Sequence, residues 1–227
     1  MLKTVRNILI ALAVFATPAA AEFELSLYLG TQSVADSNAS GFLPGGGGAF
    51  DQTIDWEGNP FDAPIYYGGR GMWWTANNVG FGFEGTHTKA IAPDAQAASI
   101  GLGRFELSDG HNIFTFNVMK RWPGAFIGGN FTPYIGGGIG IAVPHVDAIV
   151  LGPANRTFGF EATGPAIRGI AGIKYNFNEK WAIFTEYQFT YSDNDITIDP
   201  VTAGQISGEL NTELLTHAIN VGISYSF

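Results

Sequence analysis

The 227-residue chain contains no cysteine, which excludes a disulfide framework, a cysteine-based zinc site and a thiol nucleophile. Positive charge is scarce too, with 11 Lys and Arg against 20 Asp and Glu. A nucleic-acid partner is therefore not expected, since it needs a basic face. Past the N-terminal segment there is no apolar run of the roughly 18 residues that a membrane-spanning helix requires. Any passage through a bilayer must be made by strands.

The first residues read as an export signal. Lys3 and Arg6 make a short positive region, Ile8 to Phe15 an apolar core, and Ala19-Ala20-Ala21 a small-residue cleavage site. The expected organisation is a signal peptide over 1–21 and one barrel domain over 22–227. Removing Lys3 and Arg6 leaves 9 basic against 20 acidic residues, a charge of −11.

What the chain does have is glycine and aromatic residues. There are 31 glycines, 18 Phe, 8 Tyr and 5 Trp. They fall in segments that alternate with period two, the pattern of strands with one face toward lipid. The final segment is the clearest. Ile219, Val221, Ile223, Tyr225 and Phe227 share one parity, and Thr216, Ala218, Asn220, Gly222, Ser224 and Ser226 the other. A terminal Phe on such a strand is similar to the signal read by the outer-membrane barrel insertion machinery. Seven more strands follow the same logic: Phe23 to Gln32, Ile65 to Trp74, Val79 to Lys89, Asn112 to Trp122, Thr132 to Val143, Pro165 to Phe177 and Trp181 to Ser192. Short links (Thr75–Asn78, Pro123–Asn130, Asn178–Lys180) alternate with long ones (Ser33–Pro64, Ala90–His111, Pro144–Gly164, Asp193–Glu213). This is the asymmetry of short periplasmic turns and longer outer loops. The expected fold is an all-β, eight-stranded antiparallel up-and-down transmembrane β-barrel in a Gram-negative outer membrane, acting as a monomer.

On the opposite parity lie Glu24, Arg70, Glu84, Asn117, Arg121, Arg168, Lys174, Glu186 and Gln188. Charges in a membrane strand must point inward or snorkel. Eight strands enclose a space that side chains fill, so these residues predict a packed ion-pair network rather than a pore. The small Gly136, Gly138 and Gly140 would leave room for Arg70 or Arg168.

All four histidines, His87, His145, His111 and His217, map to the long-loop end, with Glu57, Glu84, Asp109 and Asp147 near them. Such clusters supply divalent-metal ligands or acid–base groups. No metal-spacing motif accompanies them. No His-x-Ser pair occurs on any strand, which leaves nucleophilic catalysis without support along the chain. The Gly45–Gly48 run is followed by no Lys-Ser/Thr and is a loop rather than a phosphate cradle.

With strands and loops in place, the chain resembles the lipid A oxidase-like outer-membrane proteins of α-proteobacteria. The likeness rests on Glu24-Leu25-Ser26-Leu27-Tyr28-Leu29-Gly30-Thr31-Gln32, Trp56-Glu57-Gly58, Pro64-Ile65-Tyr66-Tyr67-Gly68 with Arg70 and Trp73-Trp74, and Glu84-Gly85-Thr86-His87-Thr88-Lys89. It continues in Asp109-Gly110-His111-Asn112, Arg121-Trp122, the stretch from Thr132 to Val146 containing Val143-Pro144-His145, and Thr163-Gly164-Pro165-Ala166. Where the family carries Pro-His-Ser after Gly30-Thr31-Gln32, this chain has Ala35-Asp36-Ser37. The resemblance implies an enzyme of the outer leaflet that oxidises the proximal glucosamine of lipid A to 2-aminogluconate, with dioxygen as co-substrate and a divalent metal. Within that expectation, His87 and His145 ligate the metal with Asp147 as third ligand. Glu84 is the base, so that Glu84, His87 and His145 form the catalytic set. Arg70 and Lys89 bind lipid A phosphate as charge-assisted donors. The competing expectation is a non-enzymatic small barrel with an adhesive, stress-resistance or structural role, and a lipid A deacylase ranks third, below both.

Overall fold

The structure, a computed structural model, describes residues 22–126, 128–152 and 155–227. The expected signal segment lies outside the described residues. In chain order the strands are β1 (Glu22–Val34), β2 (Ser37–Phe42), β3 (Ala49–Ile54), β4 (Tyr67–Trp74), β5 (Val79–Ile91) and β6 (Leu102–Arg121). Then come β7 (Phe131–Val150), β8 (Arg156–Phe160), β9 (Gly164–Asn176), β10 (Trp181–Ile198) and β11 (Gly208–Ser226). One short helix, α1 (Asp94–Ser99), sits between β5 and β6.

Eight strands form the wall in the order β1–β4–β5–β6–β7–β9–β10–β11, each antiparallel to its neighbours. The ring closes because β11 pairs back onto β1, from Glu24 opposite Ser226 to Val34 opposite Thr216. Closure leaves no unpaired edge in lipid, where every backbone polar group must be satisfied internally. At the seam the Phe227 amide donates to the Phe23 carbonyl over 2.9 Å, and their rings lie 5.6 Å apart. The expected eight-stranded antiparallel architecture is the one found.

The outward parity is also as expected. Leu25, Leu27 and Leu29 on β1, Phe81 and Phe83 on β5, Phe114 and Phe116 on β6, and Ile135, Ile139 and Ile141 on β7 are all exposed. They form the apolar band that lipid covers. On the long-loop side the last large outward apolar residues of β4, β6 and β7 are Tyr67, Phe114 and Ile141.

Four strands are longer than the alternation predicts. Strand β6 begins at Leu102 rather than Asn112, β7 runs to Val150, β10 to Ile198, and β11 begins at Gly208. Their extra residues rise past the apolar band, where the inward positions become apolar. Leu102, Phe105, Leu107, Val146, Ala148, Val150, Ile196, Ile198, Leu210 and Leu214 are all buried in one cluster. Val34 at the end of β1 and Trp56 from the first long connection join it, as do Ala97 and Ile100 around α1. The outer end is therefore a small hydrophobic core standing on the barrel. The strand β2–β3 hairpin pairs onto β11, and β8 pairs onto β7, so much of the expected outer loops is itself sheet.

Within the membrane span the lumen is filled by ions. Arg70 reaches Glu186 at 2.7 Å and Glu84 at 3.4 Å, and Arg168 lies 3.2 Å from Glu84. Lower down, Lys174 pairs with Glu24, and Arg121 grips Glu22 through two bonds of 2.9 and 2.5 Å. The predicted packed network is present. Gly136 and Gly138 make room for other neighbours than expected. A Cβ at 138 would come within 1.9 Å of Asn117 Oδ1, and one at 136 within 2.4 Å of Met119 Cγ. The space they leave is taken by β6 side chains across the pair, not by Arg70 or Arg168.

Candidate functional site

Strand parity sorts the six predicted site residues into two sets. Arg70 and Glu84 are opposite each other in the β4–β5 pairing and both point into the lumen. His87, Lys89, His145 and Asp147 are on the outer side of the wall, at or beyond the upper edge of the apolar band, and neighbouring side chains and connections cover them to between 2 and 8% exposure. Backbone alternation separates the sets, since Glu84 and His87 are three residues apart on one strand and face opposite sides.

Glu84 is fully committed inside. It accepts from Tyr28 Oη at 2.5 Å, Asn117 Nδ2 at 2.6 Å and Gln188 Nε2 at 2.6 Å, in addition to its two arginines. Arg70 is equally engaged with Glu186, whose carboxylate also accepts from Tyr134 Oη at 2.7 Å. Both residues are at most 3% exposed. The expected base and the expected phosphate ligand are parts of the wall's internal network and do not reach the rim.

The outward set forms a belt across β5, β6, β7 and β8. The His87 imidazole stacks on Tyr67 at 5.0 Å and meets Asn112 Oδ1 through Nδ1 at 3.2 Å. Its Nε2 is buried and has no hydrogen-bond partner among the described residues. Asn112 in turn donates to the Val143 carbonyl at 3.3 Å, tying β6 to β7. Two residues further along β7, His145 is 3.5 Å from Asp109 and is held edge-on by Phe158 and Phe160 at 4.4 and 4.7 Å. Lys89, the single β5 residue opposite the three that β6 carries where the register shifts, donates to the Asp62 carbonyl at 2.8 Å.

Asp147 sits at the centre of the upper belt. Arg104 approaches it at 2.9 Å and Arg156 binds it through two contacts of 2.7 and 2.9 Å. The carboxylate raises the Arg156 guanidinium above its ordinary value. Both guanidinium groups remain half exposed, and that of Arg156 lies 4.0 Å over the Phe158 ring. Arg104 and Arg156 carried no sequence motif. The signal that marks them is scarcity: beyond the apolar band the basic residues are Lys89, Arg104 and Arg156, and all three are on this belt.

A third histidine differs. His111 faces inward beneath the outer core, 3.3 Å from Asn194 Oδ1 and 3.2 Å from Ser192 Oγ. It stands above the lipid band, and burial pushes its imidazole down to about 4.

The expected metal set does not assemble. Among the described residues no group of three His, Asp or Glu side chains is placed to hold a metal ion. His87 and His145 are on β5 and β7 with β6 between them, and the Asp147 oxygens are taken by two arginines.

The chain is similar in shape to several solved structures. Neisserial surface protein A matches with 12% identity and a TM-score of 0.47, over 92% of this chain and 100% of that one. OprG from Pseudomonas aeruginosa matches with 12% identity and a TM-score of 0.46, over 92% and 96%. The outer membrane protease OmpT from Escherichia coli matches with 10% identity and a TM-score of 0.47, over 92% and 99%. No curated protein sequence matches the chain. The family model for the outer membrane protein beta-barrel domain matches residues 8–227, nearly the whole chain, and the protein belongs to that family.

Proposed function

We propose that the protein engages lipid A in the outer leaflet, from the lipid-facing side of its outer rim rather than through its lumen. The observation that carries this reading is the position of the scarce positive charge. Arg104 and Arg156 stand half exposed beyond the last outward apolar residues of β6 and β7, with Lys89 buried beside them, on a protein otherwise acidic at that end. Guanidinium and ammonium groups there suit the phosphates of lipid A. The filled lumen and the apolar outer core argue against a conduit for solutes.

Oxidation of the proximal glucosamine by dioxygen is the activity that the resemblance implies for this belt. The side chains present do not fit the divalent metal expected with it, so no step is routed through one. The non-enzymatic reading is favoured by the pairing of Asp147 with both arginines, which engages the carboxylate oxygens that a metal would need. One experiment separates the readings. The detergent-purified protein is incubated with isotope-labelled lipid A under oxygen, and both bound and free lipid are analysed by mass spectrometry. A gain of one oxygen atom supports oxidation. An unchanged mass with saturable binding that falls in Arg104→Ala/Arg156→Ala leaves a lipid A-binding barrel. Neither binding nor mass change refutes both.

A further inference from the structure

The serine and histidine that no single strand brings together are register partners across two of them. Ser33 on β1 is the register partner of His217 on β11, and both point outward from the wall. Residues so paired carry their Cβ atoms about 5 Å apart, within reach of a hydroxyl-to-imidazole bond. On the next strand, Tyr187 Oη is 2.6 Å from His217 Nδ1, and the two rings are stacked at 6.0 Å. Ser33, His217 and Tyr187 line one small outward cavity of about 200 Å³ with Thr31 and Ile219. From the geometry we infer a second, hydrolytic site on the lipid-facing wall, with acyl esters of outer-leaflet lipids as its substrate class.

The groove beneath the pair supplies the substrate's other half. Continuing down the same outward face, Thr31 pairs with Ile219, Leu29 with Val221 and Leu27 with Ile223. An apolar groove of about 500 Å³ runs along these rungs, bounded by Tyr67 and floored by Gly68 and Gly222. From Ser33 to Leu27 it spans about 20 Å along the strand, the length of an extended acyl chain. A lipid lying there places its chain against Leu27 and Leu29 and its ester beside Ser33, at the upper edge of the apolar band where water is available.

The chemistry balances with water alone. With Nδ1–H donating to Tyr187 Oη, His217 Nε2 bears the lone pair. It takes the Ser33 proton as Oγ attacks the ester carbonyl, and returns it to the departing alkoxide. Water then cleaves the acyl-serine by the same route, releasing the fatty acid. Tyr187 is a positioning residue that fixes the imidazole's tautomer and plane.

The test uses the folded full-length barrel in detergent, with folding verified by its shift in unboiled gel electrophoresis. Fatty-acid release is followed from phosphatidylethanolamine and, separately, from lipopolysaccharide. A fluorophosphonate probe reports the nucleophile. The expected result is release from one of the two lipids and labelling of Ser33. Both are lost in Ser33→Ala, and release falls roughly a hundredfold or more in His217→Gln. Tyr187→Phe is expected to lower kcat with KM unchanged, which a purely structural role would not do. No release from either lipid and no labelling of the folded protein would overturn the assignment. So would release that survives Ser33→Ala.

Discussion

Replacing Glu84 by Gln removes one charge from a set that is balanced as it stands. Arg70 and Arg168 face Glu84 and Glu186, all four buried in the membrane span. Three further donors, from Tyr28, Asn117 and Gln188, converge on the same carboxylate at 2.5 to 2.6 Å. An amide at this position has one acceptor oxygen for these donors and turns an NH2 group toward some of them. It also leaves two guanidinium groups facing a single carboxylate. Removing one partner of a buried ion pair typically costs about 3–5 kcal/mol, because the charge left behind is uncompensated. Losing charge-assisted hydrogen bonds at about 1.5–3 kcal/mol each gives the same order. We therefore expect Glu84→Gln to lower the unfolding free energy by about 4 kcal/mol, read from reversible urea titrations in detergent micelles by tryptophan fluorescence. Adding Arg168→Gln restores neutrality. The double variant should then be less damaged than the two single changes summed, by roughly 1–3 kcal/mol of coupling. A single variant within about 1 kcal/mol of the parent, or strict additivity in the double, would refute the account of the lumen as a balanced network. The same measurement bears on function. A catalytic Glu84 would lose chemistry while the protein kept its stability.

Four further outcomes are expected. Arg104→Ala and Arg156→Ala should each weaken lipid A binding roughly tenfold by calorimetry, the equivalent of about 1.4 kcal/mol, with the loss shrinking as salt is raised. His111 titrates near 4 in the fold and near 6.5 when unfolded, so its contribution is complete above about pH 6.5 and is lost as pH falls toward 4. Urea titrations at pH 7 and pH 4.5 should show up to about 3 kcal/mol of this, and His111→Asn should flatten the difference. Phe105→Ala, in the outer core, should cost about 3–5 kcal/mol and raise amide exchange in β6 and β7 beyond the band, while the closed ring keeps its gel shift. Phe227→Ala should slow insertion by purified barrel insertion machinery in a timed vesicle assay, with little change in the stability of barrels that have inserted.

Much of the wall was legible because lipid imposes a simple rule. Apolar outward and polar inward is the same rule at Leu27, Phe83, Phe116, Ile139 and Val221, and each of these is exposed on the wall. The inward charges followed from it, and Arg70, Glu84, Arg168 and Glu186 are paired in the lumen. The site was read less well, for a reason rooted in the same alternation. Histidines and carboxylates were grouped by height along the barrel, which strand ends reveal, but not by side. Height put Glu84 near His87. Side puts a wall of backbone between them. A cross-strand partner is harder still, because Ser33 and His217 are brought opposite each other only by the closure of β11 onto β1.

The outer core was missed because the rule reverses there. On β10, Ile183 and Tyr187 point outward into lipid, whereas higher up Asp193 and Asp195 are exposed and Ile196 and Ile198 are buried. On β11, Ile219 and Val221 are outward, whereas Glu209 and Glu213 are exposed above them and Leu210 and Leu214 are inside. Once a strand leaves the bilayer its exterior meets water, so the apolar side chains must change faces to stay out of it. The strand itself continues unbroken through the change. A reading that follows lipid-facing parity therefore ends each strand where the solvent changes, not where the backbone does. On β6 and β7 the register shift between Glu106 and His111 obscures the alternation further. That shift lifts Asp109 out beside His145 while keeping Phe105 and Leu107 in the core, so the irregularity that hid the strand also brings the two together on the rim.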